Sequence, residues 1–203
     1  MTKQRDFDAV AASWDEEPRR VTLAGEIADA IMSSLRLSPE WDAMDFGSGT
    51  GLVTLRLAPC VRSILAVDSS RGMLDRLGAK IQATGLHNVR TAMAEELPGL
   101  SAAEHFHLIT SAMTLHHIQD IARLLRSFRA LLHPGGHLAL ADLEAEDGTF
   151  HDDPTGVYHH GFSREELTEL LRQAGFTSVS VSSITEIVKG ERRFPVLLAI
   201  AAL

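Results

Sequence analysis

Two aspartates bracket a glycine-rich turn. Met44-Asp45-Phe46-Gly47-Ser48-Gly49-Thr50-Gly51 carries glycines at alternate positions. Asp68 follows the turn by about 20 residues, the offset at which an acidic side chain on the next strand end accepts hydrogen bonds from both hydroxyls of a ribose. The bland alternative for Asp68 is a helix N-cap. Glycines let the backbone turn tightly and approach a ligand where a Cβ would clash. The spacing G-x-G-x-G differs from the G-x-G-x-x-G that seats a pyrophosphate on a helix N-terminus. Two carboxylates beside the loop suit a cationic ligand better than an anionic one.

Histidines form the second group. His116 and His117 are candidate general bases, with orientation of a helix start and core packing as the alternatives. A polar segment from Glu144 to Phe162 carries His151, His159 and His160 among several carboxylates. Such residues can ligate a divalent metal, but their spacing matches no closed zinc pattern, so no metal is expected. Of the loop histidines, His160 is expected in the pocket, because Gly161 and Phe162 bring the chain back toward the core. His133 and His137 flank a turn and read as structural. His87, His105 and His107 read as surface residues.

The elements that position these groups follow from periodicity. Ala9 to Arg20 suggests a short helix limited by Pro18, and Thr22 to Leu37 has helical spacing, with Leu23, Ile27, Ile31 and Leu35 on one face. Trp41 to Phe46 reads as a strand running into the glycine turn, and a helix follows to about Ala58. Ser63 to Val67, Val89 to Met93, Phe106 to Met113 and His137 to Leu143 read as further strands. Helices over about Arg71 to Thr84 and Ile118 to Leu132 separate them. Strands alternating with helices make a parallel sheet covered on both faces. Ser163 and Glu166 form a capping-box pattern for a last helix ending at Gly175. Two strands, about Ser178 to Val188 and Phe194 to Ala201, then flank a turn at Lys189 to Arg193.

The chain has 203 residues, a hydrophobic fraction of 45% and a formal net charge of −8. These values fit one soluble α/β domain. The acidity argues against a nucleic-acid partner. Cys60 is the single cysteine, so no internal disulfide forms, and it is expected to be buried. No stretch is long and apolar enough to read as a membrane anchor, and a cytoplasmic protein is the default expectation.

In the order and spacing of Asp45 to Gly51, Asp68, Ala94-Glu95-Glu96-Leu97-Pro98, Thr114-Leu115-His116-His117 and Leu132-His133-Pro134-Gly135-Gly136, the chain resembles the class I S-adenosylmethionine-dependent methyltransferases. It is most similar to the small-molecule branch that includes the ubiquinone and menaquinone C-methyltransferases. The resemblance covers most of the chain, 1–203 being one methyltransferase domain. It implies a Rossmann-like three-layer sandwich with strand order 3-2-1-4-5-7-6 and strand 7 antiparallel. It implies S-adenosyl-L-methionine as cofactor, with S-adenosyl-L-homocysteine as product, and a small-molecule methyl acceptor. Asp45 would bind the amino end of the methionine moiety. Gly47, Ser48, Gly49 and Gly51 would pass under the cofactor, and Asp68 would hold the ribose. Ser69 and Met73 would lie beside the adenine, and Ala94 and Glu95 would face its edge. Ser111, at the end of the fourth strand, completes the expected cofactor set. One position departs: Met93 stands where the family often has an acidic residue.

Residues 1–20, with Trp14, are expected to fold over the cofactor as a lid. Residues 144–162, with Tyr158, are expected to form an active-site loop. Methyl transfer needs an in-line approach of the acceptor and needs a base only if the acceptor must lose a proton, so His116, His117 and His160 are candidates only. The Asn-Pro-Pro-Tyr kind of motif is absent after the fourth strand, where Ser111-Ala112-Met113-Thr114 stands. A nicotinamide-dependent oxidoreductase and a non-catalytic cofactor-binding module are the competing readings. Monomer and homodimer are both left open.

Overall fold

The computed structural model describes residues 5–99 and 105–203. Residues 1–4 of the expected lid lie outside the described residues. Strands β1 (Asp42–Phe46), β2 (Ser63–Asp68), β3 (Val89–Met93), β4 (Phe106–Ala112), β5 (Leu132–Leu143), β6 (Ser178–Lys189) and β7 (Arg192–Ala202) form one seven-stranded sheet in the order β3-β2-β1-β4-β5-β7-β6. Pairs among β1 to β5 are parallel, and β7 runs antiparallel to both neighbours. This is the order the resemblance implied.

Helices α1 (Pro18–Ser34), α2 (Thr54–Leu57), α3 (Arg71–Thr84), α4 (Ile121–Leu131) and α5 (Arg164–Gln173) cover the sheet. Neighbouring strand residues point to opposite faces, so one apolar run feeds two cores. Met44, Leu65, Ile109 and Leu140 pack on one side with Phe128 of α4 and Leu167 of α5. Ala43, Ile64, Leu108 and Ala139 pack on the other with Ile27 and Ile31 of α1.

Several boundaries differ from the sequence expectation. Pro18 opens α1 and does not end a helix, because a proline at the first helical position loses no hydrogen bond. The chain before it is a 3-10 helix, Asp8–Glu16. The helix after the glycine turn is α2, a single turn followed by a 3-10 turn at Ala58–Cys60. Pro134-Gly135-Gly136 lies within the irregular start of β5, where the pairing with β4 shifts register. Ser163 caps α5 by accepting the Glu166 N–H at 3.0 Å, as its capping pattern suggested. Cys60 is half-buried, with its thiol 3.8 Å from Met32 Sδ. His107 is half-buried: its ring stacks on Trp41 and its Nδ1 accepts the Asp42 N–H at 3.1 Å.

Candidate active site

Asp45, Asp68 and Asp142 sit at or near the carboxyl ends of β1, β2 and β5, the end at which open α/β sheets bind ligands. A cavity of about 780 Å³ opens there. Its walls include Asp45, Gly47, Ser48, Gly49, Asp68, Ser69, Met73, Ala94, His116, His117, Trp14 and Tyr158, so the structure brings together most of the expected site residues. Gly51, Glu95, Ser111 and His160 do not line it.

The glycine turn is held from below. Gly47 and Ser48 donate their N–H groups to the Val67 carbonyl at 2.8 and 3.0 Å. All three glycines have positive φ, which side chains with a Cβ rarely adopt. A Cβ on Gly47 would overlap Thr114, whereas one on Gly49 would meet nothing within 4 Å. Gly49 therefore has open space beside it and Gly47 does not. Gly51 is a packing residue: a Cβ there would overlap Leu77, which is fully buried in α3. Gly51→Ala is expected to cost about 2–4 kcal/mol, from the left-handed backbone and the overpacked leucine together. Urea unfolding of the variant checks this.

Asp68 does more than either sequence reading assigned it. One carboxylate oxygen accepts the Gly49 N–H at 2.8 Å and the other accepts the Ser70 N–H at 2.8 Å. The helix cap is Ser70, whose hydroxyl accepts the Met73 N–H at 3.1 Å. Burial raises the Asp68 carboxyl above its ordinary value, against the backbone donors that favour its charge. Each carboxylate oxygen has a second lone pair to offer.

Asp45 is buried, with Thr54 donating to it at 2.5 Å. Burial, with Asp68 nearby adding its charge, pushes its carboxyl up to about 7. Ser48 contributes a buried hydroxyl with no partner among the described residues. These groups fit a polar, cationic guest: a carboxylate that gains by facing positive charge, an unpaired hydroxyl and a turn with room over Gly49.

The segment before α1 is stapled across this wall. Asp8 accepts from the Ser70 hydroxyl at 2.5 Å and the Gly72 N–H at 2.7 Å, at the start of α3. Asp15 accepts from the Thr50 hydroxyl at 2.5 Å and pairs with Lys80. Arg20 lies 3.8 Å over the Trp14 ring. Neither aspartate's tertiary role was expected.

The opposite wall is built from histidines. His116 is 2% exposed, and its Nδ1 lies 2.6 Å from the Asp142 carboxylate, which is 1% exposed. Burial opposes the Asp142 charge, but His116 and the Leu143 and His116 backbone N–H groups hold its carboxyl below the ordinary value. His117 Nδ1 lies 2.7 Å from the Gly156 carbonyl. Burial and His116 lower the His117 imidazole to about 4. Met113, just before this wall, holds φ at 53°, a strained value for a residue with a side chain.

The 144–162 loop contributes a different histidine from the one expected. His160 is about half exposed, 3.6 Å from Glu146, because Glu146 N–H bonds the His160 carbonyl and fixes the strand-like return. His151 faces the cavity instead, its ring centroid 4.9 Å from that of His116 and 5.6 Å from that of His117. Burial and the two neighbouring imidazoles lower it to about 3. Ser111 is buried inside β4 and Glu95 is exposed, and neither lines the cavity.

A family model described as a methyltransferase domain matches residues 19–181. An uncharacterized methyltransferase of Schizosaccharomyces pombe is 28% identical over an alignment of 153 residues that covers 68% of this chain and 54% of that one. This chain thus spans little more than half the length of that relative. The malonyl-[acyl-carrier protein] O-methyltransferase of Geobacter sulfurreducens is 32% identical over 198 residues, covering 90% of this chain and 70% of that one. The structure of the DhpI–SAH complex superposes with a TM-score of 0.74 at 23% identity, over 96% of this chain and 92% of that one. The glycine turn with its acidic strand ends, the sheet order with its reversed seventh strand and a family match over most of the length agree: the chain belongs to the methyltransferase-domain family, in the class I S-adenosylmethionine-dependent group.

Proposed function

We infer that the chain moves a methyl group from S-adenosylmethionine to a small molecule whose accepting atom must lose a proton. The observation that carries this reading is one cavity with two unlike walls, an acidic glycine-turn wall and a histidine wall backed by a buried carboxylate. Its volume is within the usual range for small-ligand pockets. Family membership favours neither an oxidoreductase nor a non-catalytic module.

S-adenosylmethionine supplies an electrophilic methyl carbon on a sulfonium. Asp68 holds the ribose and Asp45 faces the amino end of the methionine moiety. Ser48 and the open face of Gly49 complete that wall. The Asp8–Glu16 segment covers it as a lid through the Asp8 and Asp15 staples. Asp142 fixes the His116 proton on Nδ1, which leaves the Nε2 lone pair to receive the acceptor's proton. Orientation of the acceptor against the methyl carbon supplies much of the acceleration. The test is a screen of hydroxyl, carboxyl and enol acceptors with methyl-labelled cofactor. Label transfer that depends on His116 supports the reading, and label transfer to none of them contradicts it.

The Asp45 shift gives a pH dependence. Its folded carboxyl is raised to about 7 from 3.8, so its contribution to stability is full below 3.8 and is lost as pH rises through about 7. A cationic cofactor reverses this by favouring the ionised form. Affinity is therefore expected to rise up to tenfold per pH unit below about 7 and to fall once the cofactor's α-amino group deprotonates near about 8. Asp45→Asn should flatten the acidic limb. Calorimetric titration from pH 5.5 to 9 measures both limbs.

A further inference from the structure

We propose that His116, His117 and His151 form a three-histidine site for a divalent transition metal, with its open coordination positions facing the acceptor. Among the described residues, these three offer ligand atoms that all lie within 4.8 Å of one another. They come from two separate segments, the turn after β4 and the 144–162 loop, and all three line the cavity.

The hydrogen bonds around the cluster are those of metal-binding imidazoles. The Asp142 carboxylate takes the Nδ1 proton of His116, and the Gly156 carbonyl, which only accepts, takes that of His117. Nδ1 of each ring is thereby engaged, and Nε2 is the nitrogen left to ligate. An ion-ligating histidine almost always has its second nitrogen tied to a carboxylate or a carbonyl in this way. Soft-to-borderline nitrogen donors select a zinc-like ion over magnesium or calcium. Three protein nitrogens also leave a position open, as in catalytic zinc sites.

Tetrahedral geometry at a metal–nitrogen distance of about 2.0–2.1 Å sets the nitrogens about 3.4 Å apart. The ligand atoms lie within 4.8 Å of one another, so closure is a shift of up to about 1.4 Å, to which the loop carrying His151 can contribute, since no hydrogen bond among the described residues holds either of that ring's nitrogens. On the reading of the reaction given above, an ion here would hold the acceptor oxygen and make its proton leave to solvent more readily. The imidazoles would then serve as ligands, and His116 would take the proton directly only in the metal-free protein. The site itself does not depend on that reading.

Cobalt(II) is the probe, because its visible absorption reports nitrogen coordination. The chelator-stripped full chain is titrated with Co²⁺ at pH 7.5, beside His151→Ala, His117→Ala and Asp142→Asn, each checked for a cooperative melt. The expected result is one equivalent bound, with affinity at least tenfold weaker in the two alanine variants. Asp142→Asn, which replaces the carboxylate that His116 Nδ1 donates to, should weaken it about 10–100-fold. No absorption at stoichiometric cobalt overturns the site. Binding that survives His151→Ala also overturns it and points to the separate rings of His105, His107 and His133. S-adenosylmethionine titrated into the same samples separates the two proposals: cofactor binding without cobalt leaves the transferase alone, and cobalt binding without cofactor leaves the metal site alone.

Discussion

Asp68→Ala is expected to weaken S-adenosylmethionine binding by about 100–1,000-fold. Hydrogen bonds to a charged acceptor contribute about 1.5–3 kcal/mol each, and a carboxylate at this strand end can accept from two ribose hydroxyls. The same side chain holds the Gly49 N–H at 2.8 Å and the Ser70 N–H at 2.8 Å. Removing it therefore also frees the glycine turn and the start of α3. That second effect should lower the melting temperature through about 1–3 kcal/mol of lost stability. Asp68→Asn separates the two, since its carbonyl oxygen can still accept one backbone N–H while the charge is gone. Calorimetric titration with parallel melts measures both, and an unchanged dissociation constant in Asp68→Ala would remove Asp68 from the binding wall.

Asp142→Asn is expected to lower kcat about 100–1,000-fold. An amide donates to His116 Nδ1 where the carboxylate accepted from it, so the ring proton moves to Nε2 and the Nε2 lone pair is lost. General-base contributions are typically 10²–10⁴-fold, and loss of a metal ligand acts in the same direction. The pair is buried on both sides, and breaking such a pair costs about 3–5 kcal/mol. Asp142 is held below 3.8 in the fold, so the stability it contributes is full above 3.8 and is lost as pH falls through the depressed folded value. The loss of stability on acidification that Asp142 contributes should therefore be absent once the residue is Asn. The rate comparison uses the first acceptor to take label. A melt that drops with no change in kcat would make Asp142 a structural residue only.

Much of the glycine-turn wall of the cavity was legible in the sequence because its residues are local. A glycine turn between a strand and a helix, and an acid at the end of the next strand, are read within a few tens of residues. The reversed terminal hairpin was legible for the same reason, from two apolar runs around Gly190. The histidine wall was only half legible. His116 and His117 were marked, but Asp142 was passed over inside Leu140-Ala141-Asp142-Leu143. A lone carboxylate in an apolar strand cannot be buried without a partner, and that rule was available to find it. The choice of His160 over His151 failed because an irregular loop has no period from which to read a facing. The Glu146–His160 backbone pairing that turns His160 outward is a tertiary fact. Asp8 and Asp15 were missed because each acts on a residue far away in the chain.

The most direct test of the account is calorimetric titration of the wild-type chain with S-adenosylmethionine, with S-adenosylhomocysteine as competitor. The expected result is one site per chain, micromolar affinity, and competition between the two. A cooperatively melting protein that binds neither compound would contradict it.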